Sequence, residues 1–94
     1  MSKLCAVIPA LNEERRVGPV VQRIRTQGID VVVVDDGSAD GTARVAAAAG
    51  ATVIRHDATR GKGAALKTGF AHILDKGYDA VINLDADGQH DPDE

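Results

Sequence analysis

The 94 residues, 44% hydrophobic and 27% charged, predict one domain and leave no room for a second. A net charge of −3, with eleven Lys and Arg scattered along the chain, excludes the basic patch that nucleic acid or an anionic membrane requires. The single cysteine, Cys5, excludes an intrachain disulfide. No signal-peptide pattern follows Met1, and no apolar run approaches the roughly 20 residues that cross a bilayer, so cytoplasmic residence is expected.

Leu4 to Ile8 reads as a first strand, with Pro9 ending its ladder because proline has no N–H. Asn12 is placed to cap a following helix, with Glu13 in the first turn where a carboxylate complements the dipole. In that helix Val17, Val20, Val21 and Ile24 recur at i, i+3, i+4 and i+7, an apolar stripe for a sheet, and Gly28 suits the left-handed position past its end. Asp30 to Val34 reads as a second strand. Asp40 can then cap a short alanine-rich helix from Thr42 to Ala49, closed by Gly50. Ala51 to Arg55 is the third strand. Leu66, Phe70, Ile73 and Leu74 share one face of a third helix that ends near Lys76, before Gly77, and Ala80 to Leu84 is the fourth strand. None of these strands alternates polar with apolar residues, the pattern of strands covered on both faces. Strand and helix in regular succession predict parallel strands joined by crossover helices, an α/β fold.

In such sheets ligands sit outside the carboxyl ends of the strands, so the loops beginning at Pro9, Asp35, His56 and Asp85 are the ones to read. In the second loop, Asp35 and Asp36 are adjacent. A turn accounts for Gly37 and Gly41, and a cap for Asp40, but neither demands both acids, so one of them is expected to hydrogen-bond a ligand. The third loop, Arg60-Gly61-Lys62-Gly63, offers cations and free amides near a helix N-terminus, which suits phosphate, although the GxxxxGK[ST] spacing of a P-loop is absent. The fourth, Asp85-Ala86-Asp87-Gly88-Gln89-His90, carries hard oxygen donors at alternate positions. These suit Mg²⁺ or Mn²⁺, an ion that completes its shell with substrate phosphates and so implies a diphosphate ligand. It is not an EF-hand, since the third acid and the Glu at position twelve are missing. His90, next to these acids, is a candidate ligand or acid, although a solvated or capping histidine is commoner; His56 and His72 carry less weight.

The four loops in order, Ile8-Pro9-Ala10-Leu11-Asn12-Glu13-Glu14, Val34-Asp35-Asp36-Gly37-Ser38-Ala39-Asp40-Gly41-Thr42, Arg60-Gly61-Lys62-Gly63 and Asp85 to His90, resemble family 2 glycosyltransferases. They are most similar to the dolichyl-phosphate mannose synthase and bacterial polyprenyl-phosphate glycosyltransferase branch. The resemblance covers residues 3 to 94 and implies a GT-A fold, a Rossmann-like three-layer α/β/α sandwich on a four-stranded, mainly parallel sheet. It implies that Pro9, Leu11, Glu13, Val34 and Asp36 surround the nucleoside, with Asp36 hydrogen-bonding the base. Leu11 stands where many relatives carry Tyr, which weakens stacking there. It further implies Asp85 and Ala86 against ribose and diphosphate, a metal held by Asp87 with Asp85 and Gln89, and Lys62 near phosphate. The activity implied is transfer of a sugar from a UDP- or GDP-sugar to an acceptor such as a lipid phosphate. The family's acceptor-binding part, with any catalytic base, is expected beyond Glu94, so no catalytic residue is assigned within the chain. A truncated sheet leaves an edge where a second copy could pair.

A donor-binding domain without transfer, working with a partner chain, is the other reading. A nucleotidyltransferase is disfavoured because Asn12-Glu13-Glu14 stands where its glycine-rich loop would follow the first strand. A dinucleotide-binding domain is disfavoured because no G-x-G-x-x-G follows that strand.

Overall fold

The computed structural model describes residues 3–86. Seven elements follow one another: β1 (Leu4–Ala10), α1 (Val17–Arg25), β2 (Asp30–Asp35), α2 (Thr42–Ala48), β3 (Thr52–Arg55), α3 (Lys62–Ile73) and β4 (Ala80–Asn83). All strand pairs are parallel and the sheet order is β3-β2-β1-β4, so the two longest and most apolar strands are central.

Side chains alternate across a strand, and both central strands are apolar on both faces, so each face needs its own cover. On one face Ala6, Ile8, Val31 and Val33 pack against Val17, Val20, Val21 and Ile24 of α1 and Ala46 of α2. On the other, Cys5, Val7, Val32 and Val34 pack against Ala65 and Ile73 of α3. This is the expected three-layer α/β/α arrangement. Cys5 is fully buried, and that burial pushes its thiol pKa up, as befits a small core hydrophobe. Gly28, Gly50 and Gly77, placed by sequence at helix ends, all have positive φ.

Several local expectations are corrected. The edge strands are not covered on both faces: Thr52 and Arg55 of β3, and Ala80, Val81 and Asn83 of β4, are exposed. The helical stripe of α3 runs through Ala65, Gly69 and Ile73, with Leu66 partly buried beside it, while Phe70 and Leu74 are 40% and 85% exposed. The reason is proximity, because α3 lies so close to β1 that only small residues fit at the contact, and the stripe is displaced from the bulky side chains that suggested it.

Pro9 does not end β1. Pairing with β2 continues through Ala10, whereas pairing with β4 stops at Val7 and Asn83. The Val7 carbonyl accepts from Leu84 N–H, so Val7, and two residues on Pro9, turn their polar groups toward β4. The missing N–H of Pro9 therefore ends that one ladder and leaves the other intact. Finally, α1 begins at Val17, so Asn12 is not its cap and Glu13 precedes its first turn. The Glu13 carbonyl instead accepts from the N–H groups of Arg16 and Val17.

Candidate functional site

All strands are parallel, so their carboxyl ends lie along one edge, where the loops gather. Two of them are laced together. Asn12, at φ 54°, donates its N–H to Ser38 Oγ (2.8 Å) and accepts from Ala39 N–H through Oδ1 (2.9 Å). Glu13 N–H donates to Thr42 Oγ1 (2.9 Å), whose hydroxyl donates to Asp40, and Gly41 N–H donates to Glu14 Oε1 (2.7 Å). Asp40 also accepts Thr42 N–H (3.0 Å), but it is not the N-cap expected from sequence: Gly41 holds that position, and Asp40, one residue earlier, reaches two residues on to the first residue of α2. Ser38, Asp40 and Thr42 thus hold the β1–α1 loop in place. Sequence shows them only as turn and cap residues, since their partners lie some 26–29 positions earlier.

The adjacent acids part company. Asp35 is fully buried; its Oδ1 accepts Ser38 N–H (3.0 Å) and its Oδ2 lies 3.8 Å from the Arg55 guanidinium, which itself donates to the Ser38 carbonyl (3.0 Å). It builds the turn. Asp36 faces the cleft. Its Oδ1 accepts from Arg60 N–H (2.9 Å) and lies 2.7 Å from His56 Nδ1, and its Oδ2 accepts from Gly61 N–H (2.9 Å). Burial alone would raise the Asp36 pKa, but these hydrogen bonds from His56, Arg60 and Gly61 outweigh it and hold the carboxyl below its ordinary value. Between the loops, Gly37 has φ 81°, and a Cβ there would come within 2.8 Å of Thr59 N.

His56, given little weight from sequence, is 5% exposed and bridges Asp36 to Thr68 Oγ1 (2.8 Å) on α3. A lone histidine at a strand end carries no signal of this by itself. Only the β2–β3 pairing brings it beside Asp36.

A cavity of about 290 Å³ opens at this edge. Pro9, Ala10, Leu11 and Glu13 line it from the β1 end, Asp36 from the β2 end, Thr59, Gly61, Lys62 and Ala65 from the approach to α3 and its first turns, and Asp85 and Ala86 from beyond β4. Seven of the ten residues assigned to donor or metal from sequence therefore meet: Pro9, Leu11, Glu13, Asp36, Lys62, Asp85 and Ala86. Val34 does not, because its side chain is fully buried in the α3-side core. Asp87, and with it Gln89 and His90, lies outside the described residues.

Lys62 Nζ donates to Asp85 Oδ1 at 2.8 Å, an exposed ion pair between two residues of the cavity wall. Glu13 meets Arg16 at 3.4 Å. Among the described residues no group of three His, Cys, Asp or Glu could hold a metal. Asp85 nonetheless puts one hard oxygen donor on the cavity wall, which fits a divalent ion that takes one or two protein carboxylates and fills its remaining positions from water and phosphate.

The sequence match extends further than the cavity. The model of glycosyl transferase family 2 matches residues 5–94. The undecaprenyl-phosphate mannosyltransferase of Micrococcus luteus is 34% identical over 98% of this chain and 41% of its own length. The UDP-N-acetylglucosamine--dolichyl-phosphate N-acetylglucosaminyltransferase of Methanococcus voltae is 31% identical over 94% of this chain and 42% of its own length. The chain thus spans well under half of these relatives. Among solved structures, glucosyl-3-phosphoglycerate synthase of Mycobacterium tuberculosis superposes with a TM-score of 0.77 at 31% identity, over 92% of this chain and 35% of that one. A complex of that enzyme with Mn²⁺, UDP-glucose and phosphoglyceric acid superposes with a TM-score of 0.73 at 30% identity, over 90% of this chain and 33% of that one. Fold, loop order and family match agree, and the chain belongs to glycosyl transferase family 2, with the α/β architecture of the GT-A enzymes.

Proposed function

We propose that residues 1–94 are a single donor-binding domain of a glycosyltransferase and that the cavity receives a UDP-sugar, whose sugar passes to a polyprenyl phosphate. The observation that carries this reading is the convergence of four separate strand-end loops on one cavity with an acceptor-only carboxylate on one wall, Asp36, and a cation with a helix N-terminus on another, Lys62 of α3. A buried carboxylate suits the N–H of a base, and the start of a twelve-residue helix with a lysine suits a diphosphate. The resemblance to enzymes named for polyprenyl-type phosphates supports the acceptor class, and the UDP-glucose bound in the mycobacterial synthase supports the donor.

Asp85, with Asp87 and Gln89, would hold Mg²⁺ or Mn²⁺, which when bound supplies positive charge to the departing diphosphate. The chain's own residues do the rest: Leu11 and Pro9 cover the base, Asp36 orients it, and Lys62 aligns the diphosphate.

Isothermal titration of UDP and GDP, each with and without Mn²⁺, tests the reading on the protein and on Asp85→Asn. Metal-dependent binding of UDP that weakens at least about tenfold in the variant is expected, a change of about 1.4 kcal/mol. Preference for GDP would change the donor and keep the site. Absence of binding by either nucleotide, or an unaffected variant, would overturn the proposal. Sugar transfer from the preferred donor to undecaprenyl phosphate tests the acceptor.

A further inference from the structure

We infer that His56 is a positioning residue, which orients the Asp36 carboxylate and through it the Arg60–Gly61 segment of the cavity wall. His56 is buried, and its contacts tie the end of β2 to α3. Its N–H donates to the Asp35 carbonyl at 2.9 Å, which prolongs the β2–β3 ladder by one residue and places the ring beside Asp36. Nδ1 lies 2.7 Å from Asp36 Oδ1 and Nε2 lies 2.8 Å from Thr68 Oγ1, one turn and a half into α3. A carboxylate only accepts, so Nδ1 carries the proton toward Asp36; in the neutral ring Nε2 then accepts from the Thr68 hydroxyl. Both ring nitrogens are thereby used, and the ring cannot turn without losing two bonds in a buried site.

The consequence lies on the ligand side. Oδ1 of Asp36 is shared between His56 and Arg60 N–H, while Oδ2 takes Gly61 N–H and belongs to the residue lining the cavity. Without His56, the carboxylate could rotate about its Cβ–Cγ bond, and the two amide bonds that hold the start of the α3 approach would loosen with it. The inference deepens the donor-site reading, on which only its ligand arm rests.

The test compares His56→Asn, whose amide nitrogen falls near the place of Nδ1, with His56→Gln, whose amide nitrogen falls nearer Nε2, and with His56→Ala and Thr68→Val. Hydrogen exchange of the Arg60 and Gly61 amides is read in the free protein, against Val32 and Val33 of the central strand as the global reference. Titration with UDP and Mn²⁺ follows. Wild type and His56→Asn are expected to protect both amides similarly and to bind alike. His56→Gln and His56→Ala should exchange Arg60 and Gly61 at least about tenfold faster at unchanged Val32 and Val33 protection, and bind about tenfold more weakly. Thr68→Val should show a smaller effect of the same kind. Equal protection of Arg60 and Gly61 in all variants, loss spread evenly to Val32 and Val33, or failure of Asn to surpass Gln would overturn the inference. If wild type binds neither UDP nor GDP while the exchange pattern holds, the donor-site reading falls and the positioning role stands.

Discussion

Gly69 of α3 lies against Val7 of β1 so closely that a Cβ on the glycine would collide with the valine side chain, and Val34 of β2 would be 3.3 Å away. Both valines are fully buried in the central strands, so neither can move aside cheaply. Gly69→Ala is expected to push α3 off the sheet and to destabilise the protein by about 1–3 kcal/mol, net of alanine's better helix propensity. Because the first turn of α3 carries Lys62, the same variant should weaken UDP binding. Denaturant unfolding and titration check the two effects separately.

The Ser38 hydroxyl, buried between the first two loops, is the acceptor for Asn12 N–H. Ser38→Ala keeps the turn's own bond from residue 38 N–H to Asp35 but removes that acceptor. A loss of about 1 kcal/mol is expected. The β1–α1 loop, which supplies Leu11 and Glu13 to the cavity, should show faster amide exchange at Asn12 and Glu13.

Acid should unfold the protein partly through Asp36. Its folded-state pKa lies below the ordinary carboxyl value of 3.8, so its stabilisation is complete above the unfolded-state pKa and is lost as pH falls through the folded one. Asp40, held low first by the Thr42 hydroxyl, works in the same direction. Unfolding free energy measured from pH 7 downward should begin to fall near about pH 4. Asp36→Asn should be less stable at pH 7 and show a shallower acid decline. An unchanged decline would assign it to other carboxyls.

Lys62 and Asp85 form an ion pair whose side chains are 64% and 46% exposed. Such a pair adds little to stability, so Lys62→Met should change unfolding free energy by less than about 0.5 kcal/mol. Binding is another matter: loss of a cation from a diphosphate should weaken UDP with Mn²⁺ by roughly tenfold or more. Adding salt should narrow the gap between the two proteins.

Much of the fold was legible because local pattern and global packing agree. The apolar runs of β1 and β2, the i, i+3, i+4, i+7 stripe of α1 and the glycines at helix ends each state their own structure. The stripe of α3 was misread because hydrophobicity marks Phe70 and Leu74, whereas the sheet accepts Ala65 and Gly69, and a glycine's close contact leaves no trace in a hydrophobic pattern. Asn12 was misread for a related reason: its side chain reaches Ala39 N–H, a partner 27 residues away, rather than the start of the next helix.

What the amino-acid order determined by itself was the succession of parallel βα units and which strand-end loops gather at the cavity, because strand periodicity and turn chemistry are local properties; the residues assigned within those loops came from the likeness to family 2 glycosyltransferases. Local pattern left the two adjacent acids equivalent and only the likeness to the family singled out Asp36; the tertiary structure shows why, with Asp35 buried in the turn, and it alone decided that Val34 lies in the core and that His56 stands behind Asp36. Those outcomes depend on which strand ends lie side by side, and strand pairing brings together atoms that no local pattern relates.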